Sequence, residues 1–473
     1  MGEARRSGDR RLNRRHLMLG AGAGAAAGLF GAGYLLGGRE PSRDWERSKD
    51  PLKVYLPRDD TANRQQVLLV DQWNMRYADE RFGAEIVELS PIADQAYSVV
   101  HAKLQSGASG IDVVGLDVPW IAEFAAEEYI RELEGVDRAG FIDQIFAAGV
   151  VDGRVYALPF HSDVGMLYYR REFVDEDRLR GLRGWGDLRE VVDEVLPGTG
   201  FEGGIAMQLD AYEGFTVNVW EYLLAGGVDT AEDGSVDFGA DSRAVELLEQ
   251  RLPEDLYPAL MGRSPDSAPR ILYDSLYSDE RDSLSAFEAG RTPFLRHWPR
   301  VFRSFDPCGA DFQVGVVPMP GGVLGGQSLA VSAASRRPVV SQALIEFLTG
   351  PAAQQLIFER GGYAATRHEP YYDALARIAN IGEGRGEEGG EGVRYDLLCD
   401  GEAGEEVAGE APPRLEAGVL HAALEDAGRR PGVERYTQFS RAFHGLLHDA
   451  LAQGGRPDLD RLGEELRDAV EGR

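Results

Sequence analysis

Residues 153–173, GRVYALPFHSDVGMLYYRREF, set two strand-like runs on either side of a polar interruption. Val155–Leu158 and Met166–Tyr169 are rich in β-branched and aromatic residues, the composition of packed, pleated strands. Between them Pro159 lacks the N–H that a central ladder needs, and His161, Ser162 and Asp163 bring polar groups into an apolar run. The pattern predicts a change of direction at Pro159, with polar side chains placed where the chain passes from one body to another.

Upstream, strand and helix patterns alternate. Lys53–Leu56 reads as a strand, 62–81 as a helix, Ala84–Leu89 as a strand, 91–105 as a helix and Ile111–Leu116 as a strand ending at Asp117. Such alternation argues for a parallel sheet with helices on both faces, and in these sheets ligands collect beyond the carboxyl ends of the strands. Arg58, Asp59, Asp117 and Trp120 fall in the loops at those ends, although Ile121, Phe124 and Ala125 beside Trp120 equally suit a core position.

Downstream, Trp185–Leu196 reads as a helix. Tyr212 and Glu213 precede another, whose Phe215, Val219 and Leu223 recur at four-residue spacing with Trp220 on the packed stripe. Residues 241–252 read as a further helix, and the stretch to Asp282 is Pro- and Ser-rich. A strand then delivers Arg296, His297 and Trp298 into a turn, where a flat indole beside hydrogen-bonding groups suits the C–H face of a sugar ring. FQVGVVP (312–318) reads as a second crossing, and Gly325-Gly326 allows close backbone approach to a bound molecule. Helices follow at 339–348, 352–360, 436–452 and 459–469.

A chain of 473 residues exceeds what one core usually serves, so two bodies are expected. The formal charge is −29, and only three of the 50 basic residues are lysine. This acidity disfavours nucleic acid and anionic lipid as partners. Near the N-terminus, Arg10-Arg11 and Arg14-Arg15 precede an uncharged Gly/Ala-rich run from Leu17 to Gly38. The run reads as an export signal of the twin-arginine kind, or as an uncleaved anchor just long enough to span a bilayer. No lipobox cysteine follows it. Cys308 and Cys399 are too few for a metal cluster and are candidates for one disulfide. Residues 382–413 are Gly/Glu-rich and read as an acidic surface insertion.

No enzyme constellation emerges. The sequence has no H-E-x-x-H, no G-x-S-x-G and no P-loop, and His444 and His448, at helical spacing, read as helix-surface residues. No catalytic residue, metal ligand or cofactor is expected.

In order and spacing these stretches resemble the solute-binding proteins of carbohydrate ABC transporters, of the maltose- and trehalose-binding kind. Residues 153–171 are similar to that family's G-k-v-Y-a-l-P-f-x-x-d-x-g-x-L-Y-Y-r-k, residues 210–227 (DAYEGFTVNVWEYLLAGG) to its q-y-E-G-L-t-v-n-f-l-e-w-l-w-x-x-G-G, and 429–440 to its R-P-x-x-p-x-Y-x-x-x-S. The resemblance implies an α/β fold of two lobes, each a mainly parallel sheet flanked by helices, with the ligand cleft between them. The division expected is 1–40 export signal or anchor, 50–158 first lobe, 159–312 second lobe, 313–350 return to the first lobe, and 351–473 second lobe with C-terminal helices.

It further implies a ligand site built from Arg58, Asp59, Asp117, His161 and Asp163, from Tyr212, Glu213, Arg296, His297 and Trp298, and from Gly325, Gly326, Gln327 and Arg430. Gln327 stands where many relatives carry tryptophan, replacing a stacking surface by an amide. The implied partners are a sugar, a disaccharide or short oligosaccharide, and the permease subunits of an ABC importer. The protein would act as a monomer on the extracellular face of the membrane or in the periplasm. A polyamine or amino sugar as ligand, and an exported polysaccharide-active enzyme, are the alternatives left open.

Overall fold

The computed structural model describes residues 47–59, 64–77, 81–107, 110–230, 236–239, 242–248, 252, 268–305, 313–383, 415–453 and 458–471. The expected export segment, both cysteines and nearly all of the acidic insertion lie outside the described residues.

Strand β1 (Leu52–Pro57) buries Leu52, Val54 and Leu56 on one face and Tyr55 on the other, so it is covered on both sides. This is the near-continuous apolar pattern of a parallel strand between helix layers. It pairs in parallel with β2 (Ala84–Leu89) and β3 (Val113–Asp117). Helix α1 (Gln65–Arg76) packs Leu69, Val70 and Trp73 on the sheet. It starts later than expected, where the Asp59 carboxylate accepts the Gln66 N–H at 2.9 Å. Helix α2 (Ala93–Gln105) and helix α3 (Trp120–Ala126) follow β2 and β3.

The opening stretch folds differently from its sequence pattern. Residues Ala157–Val164 form one continuous strand, β4, at the edge of this first sheet, so Pro159, His161 and Asp163 lie inside a strand. Pro159 is tolerated because, among the described residues, β4 is an edge strand with one strand neighbour in the sheet, β9 (Leu324–Val331), with a register shift between Gln327 and Ser328. The crossing falls at Gly165, between β4 and β5 (Met166–Arg170), rather than at Pro159. The first sheet has the order β2-β1-β3-β9-β4, with β9 antiparallel to both its neighbours.

The second sheet joins β5 to β6 (Ile205–Ala206), β7 (Phe294–His297) and β8 (Val314–Pro318) in the order β8-β5-β7-β6. Its pairing is mixed: β5 runs antiparallel to β7 and β8, while β6 and β7 are parallel. Residues 314–318 therefore belong to the second sheet, and the return crossing lies between Pro318 and Leu324. The segment after residue 350 also departs from the expected division, because Ala353, Leu356, Ile357 and Tyr363 pack in the core of the first sheet.

Helix α4 (Glu213–Ala225) is buried around nearly its whole circumference, with Phe215, Val219, Trp220 and Leu223 in the core. Helix α5 (Glu280–Glu288) precedes β7, and α6 (Pro338–Leu348) packs on the first sheet. The C-terminal helices are α7 (Glu369–Glu383), α8 (Leu415–Asp426), α9 (Tyr436–Ala452) and α10 (Leu459–Glu471). Helix α9 covers α4, with Phe439 and Phe443 against Trp220. His448 is not a surface residue: its ring is buried, edge-on to Phe215, with Nε2 bonded to the Leu276 carbonyl. Among the described residues no helix is long and apolar enough to cross a membrane.

Candidate functional site

Between the two sheets lies a cavity of about 140 Å³, roughly ten times what a single water requires. Its walls come from both sides of the crossings. The first sheet supplies Arg58 after β1, Asp117 at the end of β3, His161 and Asp163 on β4, and Gly325, Gly326 and Gln327 on β9. The second side supplies Tyr212 and Glu213 at the start of α4, Trp298 after β7, and Arg430. Eleven of the fourteen expected residues are thus brought together.

Strand register explains much of this convergence. Gln327 lies opposite both Asp117 on β3 and His161 on β4, and Gly325 lies opposite Asp163. Gly326 adopts φ 114°, and a Cβ there would collide with the His161 carbonyl, so this close strand approach requires glycine.

Arg430 is the electrostatic centre. Its guanidinium donates to Glu213 at 2.6 Å and to both oxygens of Asp117 at 3.0 and 3.3 Å. Burial alone would lower its pKa, but Asp117 and Glu213 hold it well above the usual value and keep it charged. Glu213 also accepts hydrogen bonds from Tyr436 and Ser440 on α9, so its carboxylate is satisfied from several sides.

Trp298 sits half-buried with the Arg296 guanidinium carbon 4.0 Å from its ring centroid, and its indole N–H reaches Glu280 at 3.3 Å. Tyr212 donates to the same carboxylate at 2.9 Å. Across the cavity, His161 stacks on Tyr363 with centroids 4.3 Å apart. Burial lowers the His161 pKa to about 3, so the ring is neutral, and raises that of Asp163 to about 7. Nδ1 of His161 and Oδ1 of Asp163 have no hydrogen-bond partner among the described residues. Buried polar atoms left so cost about 1–3 kcal/mol each, which a hydrogen-bonding guest can recover.

Three expected residues stand outside the cavity. Asp59 caps α1 and accepts from Tyr363. Arg296 is fully buried in an ion pair with Glu221, where its charge is compensated, and its guanidinium backs the Trp298 ring from outside the cavity. His297 turns Nε2 to the Glu280 carbonyl and Nδ1 to the Trp298 N–H, and burial keeps it neutral with a pKa of about 3. Conversely, Gln66, Trp120, Glu280, Arg300 and Tyr363 line the cavity. Trp120 is both buried and cavity-lining. Glu280 was hidden in a stretch without visible helical period. Arg300, two residues after Trp298, and Tyr363, three residues after the helix expected at 352–360, lie next to stretches that were legible.

The sequence model of bacterial extracellular solute-binding proteins matches residues 77–374. A probable ABC transporter-binding protein of Deinococcus radiodurans is 24% identical over 306 residues, 61% of this chain and 70% of that protein. Among solved structures, maltose-bound MalE3 of T. maritima superposes with a TM-score of 0.67 at 22% identity, over 88% of this chain and 99% of the other. UgpB from Mycobacterium tuberculosis, in complex with glycerophosphocholine, gives 0.66 at 17% identity, over 90% and 98%. These likenesses establish the two-lobe architecture.

Proposed function

From the premise that the chain belongs to the bacterial extracellular solute-binding protein family, we propose that it captures a neutral, hydroxyl-rich solute, a disaccharide or short oligosaccharide of trehalose or maltose type, and delivers it to the permease of an ABC importer. Closure of the lobes about Gly165 and the return crossing would hold the solute, and a ligand shifts such an equilibrium only by its differential affinity for the two states.

The observation that supports this reading is the cavity wall itself, a half-buried indole beside hydrogen-bonding groups of both signs. Its described lining has four carboxylates (Asp117, Asp163, Glu213, Glu280) and three guanidiniums (Arg58, Arg300, Arg430). With the Asp163 pKa near neutrality, the balance is close to even. A guest bearing strong charge of either sign would leave part of that wall uncompensated. The chain acts as a binder without turnover, works as a monomer, and reaches the cell exterior through its N-terminal segment, whether cleaved or retained as an anchor.

Calorimetry with trehalose, maltose and lactose, beside spermidine, glucosamine and glycerophosphocholine, tests the reading. Heat from a disaccharide without product formation is the expected result. Heat only from the amines would overturn it in favour of a cationic ligand, and sugar hydrolysis would overturn it in favour of an enzyme.

A further inference from the structure

Between Tyr363 and Arg430 in the chain, His368 stands directly before α7 and His421 lies in α8, and their ring nitrogens Nδ1 and Nε2 are 2.9 Å apart. Glu425, one turn beyond His421 on the same helix, holds a carboxylate oxygen 3.6 Å from Nδ1 of His421. One donor atom from each of the three side chains falls within 4.8 Å of the other two. From these three residues we propose a transition-metal site that clamps the start of α7 to α8 and prefers a right-angled coordination geometry, as Cu(II) or Ni(II) adopt.

The spacing carries the argument. Two nitrogens each about 2.0–2.1 Å from one ion stand about 2.9 Å apart when the bonds meet at a right angle, and about 3.3 Å apart at the tetrahedral angle. The observed separation matches the first case, and tetragonal sites with nitrogen and oxygen donors suit Cu(II) or Ni(II).

The surroundings fix the rings. His421 is buried, with Tyr371 and Tyr372 at 4.9 and 5.5 Å from its ring. Tyr372 also stacks on His368 at 9° between planes, and the His368 backbone N–H is held by the Gly140 carbonyl at 3.0 Å. The exposed carboxylate of Glu425 is free to turn toward the ion as an oxygen ligand, or to keep the N–H of His421 and so orient its ring. The imidazole that donates across the pair takes its other tautomer on binding, which turns both lone pairs to the ion without net proton release. The sequence pattern gave no hint of this, because the two histidines lie 53 residues apart with the acidic insertion between them.

The test titrates tag-free, full-length protein with copper(II), nickel(II) and zinc chloride, by calorimetry with a glycine competitor and, for copper, by electron paramagnetic resonance. One equivalent of Cu(II) with hyperfine splitting from two nitrogens is expected. His368→Ala, at a half-buried position, should remove one nitrogen from the spectrum and weaken binding at least tenfold, and Glu425→Gln should weaken it less. His421→Gln, compared only if its circular dichroism matches the parent, should act like His368→Ala. No stoichiometric binding, or copper binding and spectra unchanged in His368→Ala, would overturn the site and leave the contact an ordinary histidine–histidine hydrogen bond.

Discussion

One guanidinium nitrogen of Arg430 donates to Glu213 at 2.6 Å while the other donates to Asp117 at 3.0 Å, so a single cation joins the end of β3 to the start of α4. Removing it strands two carboxylates in a buried setting. Arg430→Met should therefore destabilise the fold by about 3–5 kcal/mol, the usual cost of breaking a buried pair. Arg430→Lys keeps the charge but loses the planar fork that serves both acids, and should fall between the two. Urea denaturation midpoints measure this directly; an unchanged midpoint in Arg430→Met would show that the network is not coupled to folding.

Trp298 tests the cleft rather than the fold. Its indole is half-buried, so truncation to alanine removes apolar contact with a guest worth about 2 kcal/mol, or about a 30-fold rise in Kd. Trp298→Phe retains a flat face but not the N–H to Glu280, and should lose only part of that affinity. Calorimetry with the solute that the parent protein is found to bind provides the comparison. Equal affinity in Trp298→Ala would remove the indole from the ligand surface.

The contrast between Trp298 and its neighbours shows what could be read from the sequence. Alternating strand and helix patterns, and the glycine pair before Gln327, act through local backbone rules, so they pointed to the sheet and to most of the cleft. Arg296 and His297 did not, because consecutive side chains on a strand face opposite ways and the partner of Arg296, Glu221, is 75 residues distant. Pro159 misled for a related reason: its missing N–H marks either a turn or a strand edge, and only the sheet order decides which. Asp59 was drawn away from the cleft by the helix start that follows it.

Acid should destabilise the protein below about pH 6.5. Burial lowers the pKa of His161 and His297 to about 3, so the unfolded chain takes up those two protons first as pH falls, and stability is lost between about 6.5 and 3. Asp163 has the opposite sign. Its folded pKa of about 7 means that the native state holds a proton between about 4 and 7, which favours folding as pH falls through that window. Two protons against one leave these groups a net loss of about 1.4 kcal/mol per pH unit between 6.5 and 4. Urea titrations at pH 6.5, 5.5 and 4.5 read the slope; stability rising toward acid would mean that the two imidazoles are not held neutral.

The crossings themselves are braced by a buried pair. Arg296 Nε donates to Glu221 at 2.9 Å, and the other Glu221 oxygen accepts the Val323 N–H at 3.4 Å, on the return crossing. On the outward crossing, Gly165 leaves no room for a side chain: a Cβ there would overlap the same Glu221 carboxylate and press on Arg296. Gly165→Ala should thus displace Glu221 and cost about 3–5 kcal/mol, as does breaking a buried pair by other means. Gly186→Ala is the matched control, since it lies in the helix Trp185–Val195 with nothing within 4 Å of its added Cβ, and should be neutral or stabilising by up to about 1 kcal/mol. Thermal melts of the two variants side by side decide the matter, because a general intolerance of added methyl groups would lower both, whereas a braced crossing lowers only the first.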